Sequence, residues 1–240
     1  RDVAETVKSL FENKIDTRFA VLVSDDTHPD TLINDGHMDY IVKRAIQEGI
    51  NPITAIQMAT INAAFCLEMQ RDLGSISPGK WADINLLSDL ESINVEKVIF
   101  NGELVSENKK LLVDIEVKEY PEFSKNTVKL KKELAPCDFI IKADGNTKNV
   151  RVMEIVEAKA YNYHKVIEMP VINNEIKSDT KNDIIKIAVI ERHNASGMVG
   201  KGFVKGFGFK SGAVASTVSH DAHNLTIIGT NDNDMAIAGN

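Results

Sequence analysis

Phe19-Ala20-Val21-Leu22-Val23-Ser24-Asp25-Asp26 is the stretch on which the fold turns. Its five apolar residues follow one another without alternation, which predicts a strand buried on both faces, as in parallel α/β sheets. The run stops abruptly in Ser24-Asp25-Asp26-Thr27-His28-Pro29-Asp30. A polar cluster at the C-terminal end of a parallel strand is where α/β enzymes place their chemistry. Upstream, Val3, Val7, Leu10 and Phe11 recur on one face of a helix over 2–13. Downstream, a loop runs to Gly36. Met38, Ile41, Val42, Ala45 and Ile46 then recur at helical spacing until Gly49 stops them. Asn51-Pro52 opens a further helix, with Asn as the cap and Pro at the first helical position. Ile53, Ile56, Ala59, Ala63 and Leu67 continue its apolar face. The first 70 residues therefore read as helix, buried strand, polar loop, helix, helix.

The character changes at Leu73-Gly74-Ser75-Ile76-Ser77-Pro78-Gly79-Lys80, which is rich in turn residues. Residues 81–87 and 95–105 alternate like strands joined by turns, so 71–112 reads as a small β unit. Residues 113–136 are charged and read as a connector with a marginal helix. From Cys137 a further unit runs to Asn240, with strands expected at 150–156, 184–190 and 225–228. The chain starts at Arg1 in mid-helix character and stops inside an apolar stretch, so a fragment is expected.

The 240 residues carry 28 Lys and Arg against 35 Asp and Glu, a formal charge of −7. That balance argues against nucleic acid, which needs clustered cations. No apolar run approaches the roughly 20 residues of a membrane span, so no membrane partner is expected. Cys66 and Cys137 are too few for a disulfide scaffold and fit a reducing, cytoplasmic compartment.

Four places can carry chemistry. Asp25 and Asp26 end the buried run, where a carboxylate can bind a metal or move a proton; the alternative is that they cap the next turn. His220-Asp221-Ala222-His223-Asn224 sets two histidines three apart around a carboxylate, a metal or substrate motif or else a polar turn. Glu191-Arg192-His193 ends a strand, and Arg192 there could clamp an anion or a charged loop, or be solvated. Gly197, Gly200, Gly202, Gly206, Gly208 and Gly212 fit neither G-x-x-x-x-G-K-[ST] nor G-x-G-x-x-G, which discounts a phosphate loop in favour of turns. His28 and His37 lie on the loop after the run, and Cys66 on an apolar helix face.

Val23-Ser24-Asp25-Asp26, Gly36-His37-Met38-Asp39, the stretch Asn51–Ala64 with its Ala59-Thr60-Ile61-Asn62-Ala63-Ala64, and Gly74–Ile84 with its G-x-I-x-P-G-x-x-A-D pattern resemble the end of an amidohydrolase-superfamily barrel. Glu191-Arg192-His193, the glycine stretch, Ser219–Asn224 and Gly229-Thr230-Asn231-Asp232 resemble the bacterial and archaeal adenine deaminase family. The resemblance implies an α/β fold class: the end of a metal-dependent (β/α)8 barrel over 1–70, part of a small β-sandwich over 71–112, a connector over 113–136 and an α+β C-terminal domain over 137–240. It implies hydrolysis of adenine to hypoxanthine and ammonia, a purine-salvage reaction, at a binuclear divalent metal, manganese or iron. Asp25 matches the barrel aspartate that binds metal and shuttles the proton. Asp26, His37, His220, Asp221, His223 and Asn224 are assigned to loops facing the substrate. The family's H-x-H pair, later barrel histidines and bridging carboxylate are not in the chain and are expected upstream of Arg1, so this piece alone is expected to be inactive. A homo-oligomer is expected. Another cyclic-amide or amidine amidohydrolase, and a non-catalytic subunit if Arg1 is the true start, remain as alternatives.

Overall fold

The structure, a computed structural model, describes residues 3–157, 159 and 161–240, without the side chain of Phe11. It divides into two compact units, Arg1–Val117 and Lys118–Asn240.

In the first unit, α1 (Val3–Glu12), α3 (Met38–Gln47) and α4 (Pro52–Ala59) put Val7, Val42, Ala45, Ile50, Ala55 and Met58 into one core with Ile93. The Asn51 side chain accepts the Ile53 N–H at 3.0 Å and so caps α4. The helix expected through Leu67 breaks at Thr60, whose hydroxyl donates back to the Ile56 carbonyl at 2.7 Å, and a separate α5 (Ile61–Cys66) follows. Gly74 has φ +87, and a Cβ there would stand 2.8 Å from both the Ala64 Cβ and the Ile61 Cα, so the turn after α5 requires glycine.

The run that reads as a strand is not one. Thr17–Phe19 is a 3-10 turn, Ala20 is extended, and residues 20–23 belong to no strand. Ala20 and Leu22 pack on the core, whereas Phe19 and Val23 are 87% and 67% exposed. The reason is pairing: the described residues 3–70 hold no β-strand, so no ladder exists for this one to join. Its backbone is held otherwise, by the Leu22 N–H on the Met58 carbonyl and the Asn62 side-chain amide on the carbonyls of Thr17 and Ala20. The loop expected up to Gly36 contains a short α2 (Pro29–Asn34) started by its proline.

The 71–112 region forms one antiparallel meander, β1 (Ile84–Leu87), β2 (Val95–Phe100), β3 (Glu103–Glu107) and β4 (Lys110–Leu111), in that order. It is a single sheet, not two facing ones. Asn101 and Gly102, both at positive φ, make the tight β2–β3 turn.

The second unit is an eight-stranded sheet. Its strands are β5 (Ile141–Lys142), β6 (Thr147–Ile155), β7 (Asn162–Ile172), β8 (Glu175–Ile176), β9 (Ile184–Ile190), β10 (Val199–Lys205), β11 (Ala213–Ser216) and β12 (Leu225–Gly229). They lie in the order β11-β12-β9-β10-β6-β7-β8-β5, antiparallel except for β10 on β6. Part of the glycine-dense stretch, expected as turns, is strand: Gly200 and Gly202 of β10 pair with Val189 and Ile187 of β9. The helix α6 (Asp232–Gly239) covers one side, joining Met235 and Ala236 to Ala188, Ile190, Leu225, Ile227, Phe139 and Leu134.

The stretch 113–136 holds the 3-10 turn Glu122–Ser124 and, at its end, the start of another, Pro136–Phe139, rather than a helix. Its second half packs into the unit: the Lys129 N–H donates to the Arg192 carbonyl, and Leu134 is buried. The Asn240 side chain brackets Leu134, accepting its N–H at 2.9 Å and donating to its carbonyl at 3.0 Å.

Candidate active site

The candidates fall into two groups, one in each unit. Asp25 is exposed with φ +53, a left-handed conformation that Asp tolerates better than most residues. Its Oδ1 accepts the N–H of Asp26 at 2.7 Å, and its carbonyl accepts the Thr27 hydroxyl at 3.4 Å. Asp25 thus shapes its own turn through Oδ1 and its backbone carbonyl. His37 is exposed at the start of α3, where its N–H donates to Asp39 Oδ1 at 2.8 Å. Among the described residues no three His, Cys, Asp or Glu side chains converge in a way that could hold a metal ion.

The second group is assembled by strand pairing. Leu225, the first residue of β12, sits opposite Ile190, the last of β9. The segments just outside that pair, 191–193 and 220–224, are therefore brought side by side. The Glu191 carboxylate accepts the N–H groups of His193, Asn194 and Ser196 at 2.6, 2.7 and 2.9 Å and the Ser196 hydroxyl at 2.8 Å. The donors on Ser196 and Asn194 favour the ionised form and hold its carboxyl down at about 2.

Arg192 is buried, 9% exposed. Its Nε donates to the His223 carbonyl at 2.6 Å, and its Nη1 to the carbonyl and hydroxyl of Thr127 at 2.9 and 3.1 Å. The His193 Nε2 lies 2.9 Å from the Ala222 carbonyl, and since a carbonyl only accepts, this nitrogen carries the proton. Inside the loop, His220 Nδ1 meets the Asp221 carboxylate, and the His220 and His223 rings stand edge to face with centroids 5.4 Å apart. His223 has φ +47, and its N–H closes on the Ser219 carbonyl at 2.6 Å. Asn224 points inward, its Oδ1 3.4 Å from the Arg192 N–H. Two imidazoles beside a carboxylate can give, take or share protons with a nitrogen heterocycle.

Residues 9–105 match the amidohydrolase family, and residues 159–240 match the adenine deaminase C-terminal domain. The two matches lie along the chain in that order. It is 50% identical over 240 residues to an adenine deaminase of Clostridium botulinum, 49% over 241 residues to one of Moorella thermoacetica, and 46% over 241 residues to adenine deaminase 3 of Rhizobium meliloti. Each comparison covers 100% of this chain and 40% of the relative, so the chain spans two fifths of the length of these curated relatives.

Asp25, Asp26 and His37 thus fall in the segment that matches the amidohydrolase family, and His220, Asp221, His223 and Asn224 in the segment that matches the adenine deaminase C-terminal domain. Two features of the second unit escape a reading by motif. Thr127 lies in a stretch read as connector and anchors Arg192 through its backbone as much as its hydroxyl, which leaves no motif to find. Lys186 of β9 is 3% exposed and pairs with Asp232 Oδ1 at 2.6 Å while donating to the Phe139 carbonyl at 3.1 Å. Its signal was present: a lone cation on the apolar face of Ile184, Ala188 and Ile190 demands a buried partner.

Proposed function

We propose that this chain is part of a metal-dependent adenine deaminase, which hydrolyses adenine to hypoxanthine and ammonia. The supporting observation is the identity of about half of all positions with curated adenine deaminases along the whole chain, through both matched domains. In this reading the first 70 residues complete a (β/α)8 barrel. Water adds to the ring carbon that bears the exocyclic amino group, the carbon–nitrogen bond breaks, and the amino group leaves as ammonia.

Asp25 is assigned the proton transfer: its carboxylate takes a proton from the attacking water and delivers it to the departing nitrogen. The loop 220–224 is assigned to the purine, with the His220 and His223 rings supplying donors and acceptors to its nitrogens. The amidohydrolase family implies a divalent metal, and we take it to be manganese or iron. Asp25 offers it one carboxylate; among the described residues no group of three or more His, Cys, Asp or Glu stands ready to complete the site.

The test is ammonia release by the complete gene product, supplied with manganese, from adenine, guanine and cytosine in parallel. Adenine alone should be turned over, and absence of adenine turnover rejects the substrate. Asp25→Asn should lower kcat by at least about a hundredfold, the low end for losing a general acid–base group, with an unchanged far-ultraviolet circular dichroism spectrum.

A further inference from the structure

We propose that Arg192 is a positioning residue: with His193 it holds the His223 backbone and so the direction in which that ring leaves toward His220, and thereby sets how tightly the purine is held. The inference rests on the assignment of the 220–224 loop to the purine.

The argument starts from a cost. A guanidinium removed from water needs a full set of acceptors, and at 9% exposure Arg192 has left most of its hydration behind. Among the described residues no carboxylate forms an ion pair with it; its side chain donates to the carbonyls of His223 and Thr127 and to the Thr127 hydroxyl. Lys186, the other buried cation, has Asp232. Capping the end of a β-strand does not require a buried cation, because a small polar side chain or water suffices. What the fork adds is simultaneous attachment of two separate segments, 127 and 223, to the end of β9.

The acceptors lie in consecutive peptides. Peptide units are planar, and the Ala222 carbonyl belongs to the plane before the His223 Cα while the His223 carbonyl belongs to the plane after it. His193 holds the first carbonyl and Arg192 the second. Holding both carbonyls restrains φ and ψ of His223, here φ +47, and so restrains the direction of its Cα–Cβ bond. The ring then meets His220 edge to face. Adjacent Glu191 ties down the 193–196 turn with four hydrogen bonds, so His193 acts from a rigid base.

Arg192→Gln and Arg192→Lys in the complete gene product test this by two readouts. The first is amide hydrogen exchange. In Arg192→Gln, amides of 219–224 should exchange about tenfold faster, the scale of one lost charge-assisted hydrogen bond, while those of the β9–β12 ladder keep their rates. The second is kinetic. KM for adenine should rise about tenfold with kcat changed less than about threefold, because partial unfolding would lower apparent kcat and leave KM alone. Arg192→Lys keeps the charge and reaches one acceptor, so it should recover part of both effects; it is also the variant to read if Arg192→Gln loses the ladder protection. Unchanged exchange in 219–224 overturns the latch whatever the activity. Faster exchange with an unchanged KM overturns the positioning role. His220→Ala separates the two layers: if it leaves KM and kcat intact, the assignment of the loop to the purine is what has failed, while the exchange result still reports on the latch.

Discussion

Two apolar runs of similar composition, Phe19–Val23 and Ile184–Ile190, meet different ends. The second lies between β12 and β10, hydrogen-bonded on both sides, with Ile185 fully buried. The first has two of its five residues exposed and a few borrowed hydrogen bonds in place of a ladder. Apolar content makes a segment eligible to be a strand; neighbours on both edges make it one. An acid follows each run, Asp25 two residues after Val23 and Glu191 directly after Ile190, and the acids differ in the same way. Glu191 gathers three backbone N–H groups, while Asp25 takes the N–H of Asp26.

The largest expected effect separates the runs directly. In this 240-residue chain Ile185→Asp should cost more than about 4 kcal/mol, because it buries a charge without a partner, while Val23→Asp should cost less than about 0.5 kcal/mol at its exposed site. Urea denaturation followed by circular dichroism measures both. If the proposed barrel flanks the first run in the complete gene product, Val23→Asp becomes as damaging there as Ile185→Asp, and equal tolerance in both lengths would break the barrel reading. A smaller effect is expected from Asn62→Ala. It removes the amide that holds the Thr17 and Ala20 carbonyls and should cost about 1–2 kcal/mol, with faster exchange confined to 17–22.

The smallest concerns the two acids. Glu191 titrates at about 2 when folded, below its usual 4.5, so it binds its proton more weakly than in the unfolded chain. Its stabilising contribution is therefore complete above about pH 4.5 and is lost as pH falls toward 2. Exchange of the 193–196 amides should rise across that window in the parent and be flat with pH, beyond the intrinsic dependence, in Glu191→Gln. A flat parent would show that the carboxylate does not hold the turn.

Much of this was legible in the sequence, unevenly. The start of α4 was, because Asn51-Pro52 carries its signal locally. β9 and β12 were, because an apolar run of that length in a sheet has few other states. The end of α4 was not, because a threonine hydroxyl turning back on Ile56 is a choice between two satisfied conformations. β10 was hidden by its glycines, whose strand state depends on β9 and not on themselves. The loop 220–224 was legible as a list of side chains, but its placement comes from the Ile190–Leu225 register, a contact between distant positions. Arg192 reads from the sequence as a clamp for an anion or charged loop or as a solvated strand end; that it is buried and grips carbonyls could not be read, since every residue has one.

The bracket that Asn240 places on Leu134 has a consequence in time. It joins residues 106 positions apart. A ribosome adding about 5–20 residues per second delivers the two partners roughly 5–20 seconds apart. Through that interval Leu134 and Phe139 are without the helix that covers them, and the half-made sheet offers a greasy, sticky surface to whatever waits at the tunnel exit. Synthesis of this unit is therefore a race between the emergence of α6 and capture by other chains, and slowing translation between 140 and 230 would lengthen the odds against it.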